Sequence, residues 1–148
     1  MIEVSHIRIG NLYHNHRRWV CPVVGFDEDS VTVIAGHYGK ETFKLEDMHP
    51  ITLTPEFLLS NGFHKIEDLD VYTWNRKCGD GFISIDISDL LDGKWNIEIK
   101  NLSIYQDEPS LNNGSNHYAY NVFLTVDMFQ NILSDCGVNF NFEYKKEY

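Results

Sequence analysis

The chain has 148 residues, 43% of them hydrophobic and 14% aromatic, so it can build one packed domain or two very small ones and is not a disordered chain. Its 22 acidic and 12 basic residues give a net charge of −10, which argues against direct nucleic-acid binding, because that binding needs Lys and Arg to replace phosphate counterions. No apolar run is long enough to span a membrane and the first residues lack a signal-peptide pattern, so we expect a cytoplasmic protein without membrane contact.

Residues 1–52 have the pattern of a small β-barrel. Apolar segments alternate with turn signals such as Gly10-Asn11 and Asp27 to Ser30, and the predicted strands are 7–9, 19–26, 30–35 and 41–45. Four or five short strands in so few residues predict an SH3-like barrel.

The segment 53–63 carries start and stop signals for a short helix. Thr54 is a good N-cap, and Pro55 suits the first helical position because its missing N–H costs nothing there. Gly62 supplies the left-handed residue that ends such a helix. We therefore predict a helix at 55–61, with Leu53 and Leu58 forming a hydrophobic staple; its expected anchors are Phe57, Leu58, Leu59 and Phe63.

Residues 53–148 predict an antiparallel sheet with two short helices. Alternating apolar residues indicate a β-meander over 70–105. Residues 106–116 read as a long loop, and 117–124 fit either a strand or a helix.

The end of the chain predicts a second helix and a last strand. Met128, Phe129, Ile132 and Leu133 lie on one helical face, which predicts a helix at 126–136 capped by Thr125. Alternation after Gly137 predicts a strand at 138–144. The fold class is therefore α+β, and we expect the helix at 55–61 to join the barrel to the sheet.

Ile9-Gly-Asn-Leu12 and Pro50-Ile-Thr-Leu-Thr-Pro-Glu-Phe-Leu-Leu-Ser-Asn-Gly-Phe63 occur together within the first 65 residues. With these stretches the chain resembles a family of small uncharacterised proteins that is common in Bacteroidetes phages, prophages and other mobile elements. That family has the pattern Pro-Ile-Pro-Leu-Thr-Glu-Glu-Trp-Leu-Leu-x-x-Gly-Phe, from which Thr52, Pro55 and Phe57 depart. The motif is a helix start, so the resemblance implies a mobile-element origin and assigns no catalytic residue.

His14 and His16, with Cys21 nearby, are the metal candidates. Residues two apart in a strand point to the same side, so both imidazoles could reach one ion. No third ligand stands at a recognisable spacing, and a polar loop between two strands explains the same residues. We expect no metal and no cofactor.

The cysteines and the aspartates are weaker candidates for a catalytic or metal-binding site. Cys21, Cys78 and Cys136 are far apart and odd in number, which argues against a disulfide framework and favours reduced thiols. Cys78 lies in a Cys-Gly-Asp-Gly turn with no histidine near it in sequence. The aspartates Asp68, Asp70, Asp86, Asp89 and Asp92 lack the spacing of a calcium loop and fit a solvated face.

The candidate partner-binding residues lie in acidic loops. Two acidic segments and one nearby aromatic residue make up the predicted surface: Asp27, Glu28, Asp29, Tyr105, Asp107 and Glu108. Carboxylates beside an exposed aromatic side chain suit a protein partner with a basic surface.

These observations favour a non-catalytic protein-binding module of phage or mobile-element origin that modulates a host protein, for example by inhibiting a nuclease-type defence system. The alternative is a phage structural or assembly protein that acts by self-association, for example as a homodimer. A third hypothesis is a small enzyme that uses His14, His16 or Cys78.

Overall fold

The computed structural model describes residues 2–78, 81–88, 95–103, 114–120, 124–138, 140 and 142. Over these residues the chain is α+β, with two antiparallel sheets and two α-helices, α1 (Pro55–Ser60) and α2 (Val126–Asp135). Its contacts define two compact units. The first unit is Met1–Leu53 with Thr125–Asn141, and the second unit is Thr54–Leu124 with Phe142–Tyr148.

The first unit contains a five-stranded antiparallel sheet. Its strands, in the order β4-β3-β2-β1-β5 across the sheet, are β1 (Leu12–His14), β2 (Val20–Phe26), β3 (Ser30–Ile34), β4 (Lys40–Lys44) and β5 (His49–Pro50). The register of β2 against β3 shifts between Val23 and Gly25, which is a bulge. A 3₁₀ turn, Leu45–Asp47, links β4 to β5.

Alternation places the core of the first unit on one side of these strands. Val31 and Val33 of β3 are buried and their neighbours are only partly so, as a strand with one covered face requires. Tyr13, Cys21 and Met48 join the same cluster. Each fully buried aliphatic side chain contributes roughly 1.5–3 kcal/mol to folding.

The helix α2 is bound to the segment around β1 by side chains that bond backbone groups. Gln130 Oε1 accepts a hydrogen bond from Leu12 N–H at 2.8 Å, and Gln130 Nε2 donates to the Gly10 carbonyl at 3.1 Å. Asn131 Nδ2 donates to the His6 carbonyl at 2.8 Å. The side-chain amide of Gln130 thus pairs with one backbone N–H and one backbone carbonyl of the same segment, as the backbone of a neighbouring strand would.

The second unit contains the other antiparallel sheet. Its strands lie in the order β10-β9-β8-β7-β6, and they are β6 (His64–Lys65), β7 (Val71–Cys78), β8 (Gly81–Ser88), β9 (Trp95–Ser103) and β10 (Gly114–Tyr120). Buried cross-strand pairs hold β8 to β9, with Ile85 opposite Ile99 and Ile87 opposite Ile97.

The helix α1 begins at Pro55, as predicted, and ends at Ser60, one residue before the predicted end. Thr54 Oγ1 accepts a hydrogen bond from Phe57 N–H at 3.2 Å, and Pro55 occupies the first turn. Gly62 has a φ of 88°, and Phe63 N–H donates to the Leu58 carbonyl at 3.1 Å. These bonds satisfy backbone groups that a helix end otherwise leaves unpaired.

Several local predictions were wrong. Residues 7–9 form no strand, and β1 starts instead after the turn at Gly10. Leu59 is not an anchor, because it is 49% exposed. Thr125 precedes α2 without capping it, since its hydroxyl donates to Asp127.

The predicted loop and the ambiguous segment are partly described. Residues 114–116 of the predicted loop belong to β10, and Tyr118 and Tyr120 of the segment 117–124 are in the same strand. Residues 104–113 and 121–123 lie outside the described residues. Of the predicted last strand, Val138, Phe140 and Phe142 are described and no strand is assigned at them.

Candidate interaction surfaces

The turn between β2 and β3 is organised by Asp27. Its Oδ1 accepts hydrogen bonds from Asp29 N–H at 2.9 Å, from Ser30 N–H at 2.8 Å and from the Ser30 hydroxyl at 3.0 Å. The bond from Asp29 and the two from Ser30 hold the pKa of Asp27 below its ordinary value, because they stabilise the carboxylate form. Asp27 therefore shapes the turn, and the side chains of Glu28 and Asp29 are left to face solvent.

A second acidic segment adjoins this turn. Leu45 N–H donates a hydrogen bond to the Asp29 carbonyl at 3.3 Å, which brings the 3₁₀ turn Leu45–Asp47 beside it. We call the combined set the acidic surface, and its members are all exposed: Asp27, Glu28, Asp29, Glu46 and Asp47. Phe26, next to it, is 44% exposed. Sequence reasoning missed Glu46 and Asp47 because only the pairing of β3 with β4 brings them near residues 27–29.

The other predicted partner-binding residues, Tyr105, Asp107 and Glu108, lie outside the described residues. Among the scattered aspartates, Asp86 and Glu98 stand directly opposite each other on β8 and β9. The Lys100 ammonium lies 3.7 Å from the Asp86 carboxylate and 3.3 Å from that of Glu98, so it offsets part of the negative charge of this pair. Asp70 lies 4.0 Å from the ammonium of Lys65.

The metal candidates His14, His16 and Cys21 do not converge. Cys21 stands opposite Tyr13, and successive residues of a strand face opposite sides, so Cys21 and His14 are on different faces of the sheet. His16 lies beyond the end of β1 and packs its ring against Phe43 at 6.2 Å. Burial raises the pKa of the Cys21 thiol, and the charge of Glu41 adds to this, which disfavours the thiolate that binds metals.

His14 lies beside His49 rather than beside His16. It stands directly opposite His49 in the pairing of β1 with β5, and the two ring centroids are 5.5 Å apart. Among the described residues, no group of three or more His, Cys, Asp or Glu side chains is placed to hold a metal ion. Cys78 pairs with Gly81 at the end of β7.

A tight loop, residues 15–19, presents arginine beside aromatic rings. Oδ1 of the buried Asn15 accepts hydrogen bonds from two backbone N–H groups of the loop, that of Arg17 at 2.9 Å and that of Trp19 at 3.1 Å. The Arg17 guanidinium lies 5.2 Å from the centre of the Trp19 ring, and Trp19 stacks on Tyr38 at 5.5 Å. This arrangement lies at the start of β2, whereas the acidic surface lies at its end.

Within the part of the chain that the structure describes, neither helix has the length and apolar character that crossing a membrane would require. No protein-family model, no curated protein and no solved structure matches this chain.

Proposed function

We propose that this chain is a non-catalytic protein-binding module of phage or mobile-element origin, which modulates a host protein by presenting its acidic surface to a basic one. The observation that carries the proposal is the acidic surface itself, with its five exposed carboxylates and the exposed ring of Phe26 beside them. Carboxylates supply charge complementarity and steering, and an aromatic side chain supplies a packed anchor.

A nuclease-type defence protein is the proposed target because its nucleic-acid-binding groove would be basic. An enzyme that binds a nucleic-acid backbone needs a groove lined with Lys and Arg. An acidic protein surface competes for such a groove by the same electrostatic attraction. The net charge of −10 adds to the attraction at long range, and salt weakens it.

We also propose that the first unit is a small SH3-like barrel, which would hold the acidic surface on a rigid scaffold. Three features support this assignment. They are the strand order β4-β3-β2-β1-β5, the bulge in β2 near Gly25, where one strand can bend between two halves of a barrel, and the 3₁₀ turn Leu45–Asp47 between β4 and β5.

Charge reversal tests the proposed function. Wild-type protein and the double variant Glu28→Lys/Asp29→Lys are used as baits in bacterial host lysate, and the captured protein is then purified for direct binding measurements. Neither substitution touches the side-chain bonds of Asp27 that hold the turn. The matched control is Glu3→Lys/Glu67→Lys, which gives the same change in net charge at exposed positions that are not members of the acidic surface.

We expect the partner to bind wild type and control alike and to bind the Glu28→Lys/Asp29→Lys variant at least about tenfold more weakly, since like charges would then face each other. The defence activity should fall in the presence of wild type only when this binding occurs. Equal weakening by both double variants would show that only net charge matters. Capture of no partner, with defence activity unchanged, would refute the proposal.

A further inference from the structure

Two half-buried histidines face each other across β1 and β5. His14 and His49 are directly opposite in the antiparallel register, and directly opposite side chains share one face of a sheet. Their ring centroids are 5.5 Å apart and their planes are inclined by 36°. A strand pair that positions two imidazoles side by side supplies two ligands of the kind that zinc, copper and nickel prefer.

The backbone around His14 orients its ring. His14 Nδ1 lies 3.3 Å from the Asn15 carbonyl, and with the proton on Nδ1 it donates a hydrogen bond there. The lone pair then lies on Nε2, and metal-binding histidines are commonly held by such a bond to a carbonyl group. The carbonyl is itself fixed, because Asn15 is buried and its N–H donates to the Trp19 carbonyl at 3.1 Å.

The separation of the rings matches that of two ligands on one ion. Zinc binds an imidazole nitrogen at 2.0–2.1 Å, and a tetrahedral angle at the metal then places two ring centroids about 5 Å apart. We propose that His14 and His49 form a two-histidine site for a first-row transition metal ion, represented by Zn²⁺, with water in the other positions. This site is independent of the proposed protein-binding function.

The neighbouring residues explain why the site has two protein ligands. His16 packs against Phe43, and Cys21 lies on the opposite face of the sheet. The affinity is therefore modest compared with that of a closed four-ligand site, and the coordination positions left to water can exchange. Ring packing without metal binding is the competing explanation of the same geometry.

Zinc titration by calorimetry at about pH 7.5 tests the site, since protonated imidazole does not bind metals. All proteins carry Cys136→Ser, which removes a partly exposed thiol that would compete for zinc. The test variants are His14→Asn and His49→Asn. The matched controls are His16→Asn and His37→Asn, which remove exposed histidines of the same unit.

We expect one Zn²⁺ per chain, a loss of affinity of about tenfold or more in each test variant, and unchanged binding in the controls. Mg²⁺ should not bind, because it prefers oxygen ligands. Equal effects of all four substitutions would mean adventitious surface binding only and would overturn the proposal, as would wild-type protein that binds no zinc.

A second measurement needs no substitution at either histidine. Ring proton and nitrogen NMR signals are followed while Zn²⁺ is added to the Cys136→Ser protein. Signals of His14 and His49 should shift together and saturate at one equivalent, with His14 coordinated through Nε2, while the other histidines stay unchanged. Shifts spread evenly over the histidines would overturn the site even if His14→Asn or His49→Asn fails to fold.

Discussion

Tyr13 donates a hydrogen bond from its hydroxyl group to Oδ2 of Asp127 at 3.0 Å, across 114 residues of sequence. Tyr13 is fully buried and Asp127 is only 6% exposed. The other carboxylate oxygen, Oδ1, accepts a hydrogen bond from the Thr125 hydroxyl at 2.5 Å. Because burying a carboxylate is costly unless it is hydrogen-bonded, this pair ties the start of α2 to β1.

Replacing Tyr13 by Phe should destabilise the protein. The variant keeps the ring in the core but removes a hydrogen bond to a buried carboxylate, so we expect the free energy of unfolding to fall by about 1.5–3 kcal/mol. Urea denaturation of wild type and variant measures the difference. A variant as stable as wild type would mean that another donor takes over at Asp127 Oδ2.

The same pair predicts a loss of stability in alkaline solution. Burial raises the pKa of Tyr13 above its ordinary value of 10.0, and the negative charge of Asp127 raises it further. The folded protein therefore holds the phenol proton more tightly than the unfolded chain does. The resulting stabilisation is complete below pH 10.0 and is lost as the pH rises from there towards the pKa of the folded state.

Urea titrations at several pH values from about 9 to 11 measure this effect. The free energy of unfolding should fall with pH, and Tyr13 contributes at most about 1.4 kcal/mol per pH unit to that slope. Tyr13→Phe should lack that part of the slope. Burial also raises the pKa of Tyr72, which contributes equally to both proteins and cancels in the comparison. Coincident slopes for wild type and Tyr13→Phe would contradict the prediction.

Gln130→Ala should loosen α2 from the segment around β1. It leaves the buried Leu12 N–H without its acceptor, which should lower the free energy of unfolding by about 1–3 kcal/mol. The control is Asp135→Asn, at another position of α2. It weakens the exposed ion pair between Asp135 and Arg8 and should change stability little. Urea denaturation compares the two, and equal effects would show that Gln130 contributes no more than a surface contact.

The start of α1, and its end to within one residue, could be predicted because consecutive residues determine them. Thr54, Pro55 and Gly62 each act on the backbone within a few positions of themselves, so neither the start nor the end of the helix depends on distant chain. The strands β2, β3 and β4 were likewise predictable, because β2 and β3 are apolar segments bounded by turn signals and the segment of β4 alternates. Leu59 shows the limit, since a short helix must leave one side to solvent and its sequence alone did not identify that side.

The pairing of distant segments could not be predicted. His14 and His49 meet only because β5 returns beside β1, whereas the spacing of His14 and His16 suggested a pair within one strand. The hydrogen bond from Leu12 N–H to Gln130 connects positions 118 residues apart, and no local pattern encodes it. Glu46 and Asp47 joined the acidic surface for the same reason.

Gly62→Ala should destabilise the second unit. Its φ of 88° is a conformation that side chains disfavour, although an added Cβ would itself make only ordinary contact, 3.7 Å from the Trp74 ring. We expect a loss of about 1–2 kcal/mol in the free energy of unfolding. Gly25→Ala is the control, because an added Cβ there would make only ordinary contact, 3.9 Å from Thr32. Thermal or urea unfolding should separate the two substitutions clearly, and equal losses would contradict the assigned backbone strain.

Arg18→Gly should stabilise the loop at residues 15–19. Arg18 has a φ of 60°, which costs a residue other than glycine about 1–2 kcal/mol. Glycine removes that strain but gains freedom in the unfolded chain, worth about 0.5–1 kcal/mol, so the net gain should be about 0.5–1 kcal/mol. Asn15→Ala should act in the opposite direction, because it leaves the N–H groups of Arg17 and Trp19 without their shared acceptor. If urea denaturation instead finds Arg18→Gly less stable than wild type, the guanidinium of Arg18 contributes more to the folded loop than its backbone strain removes.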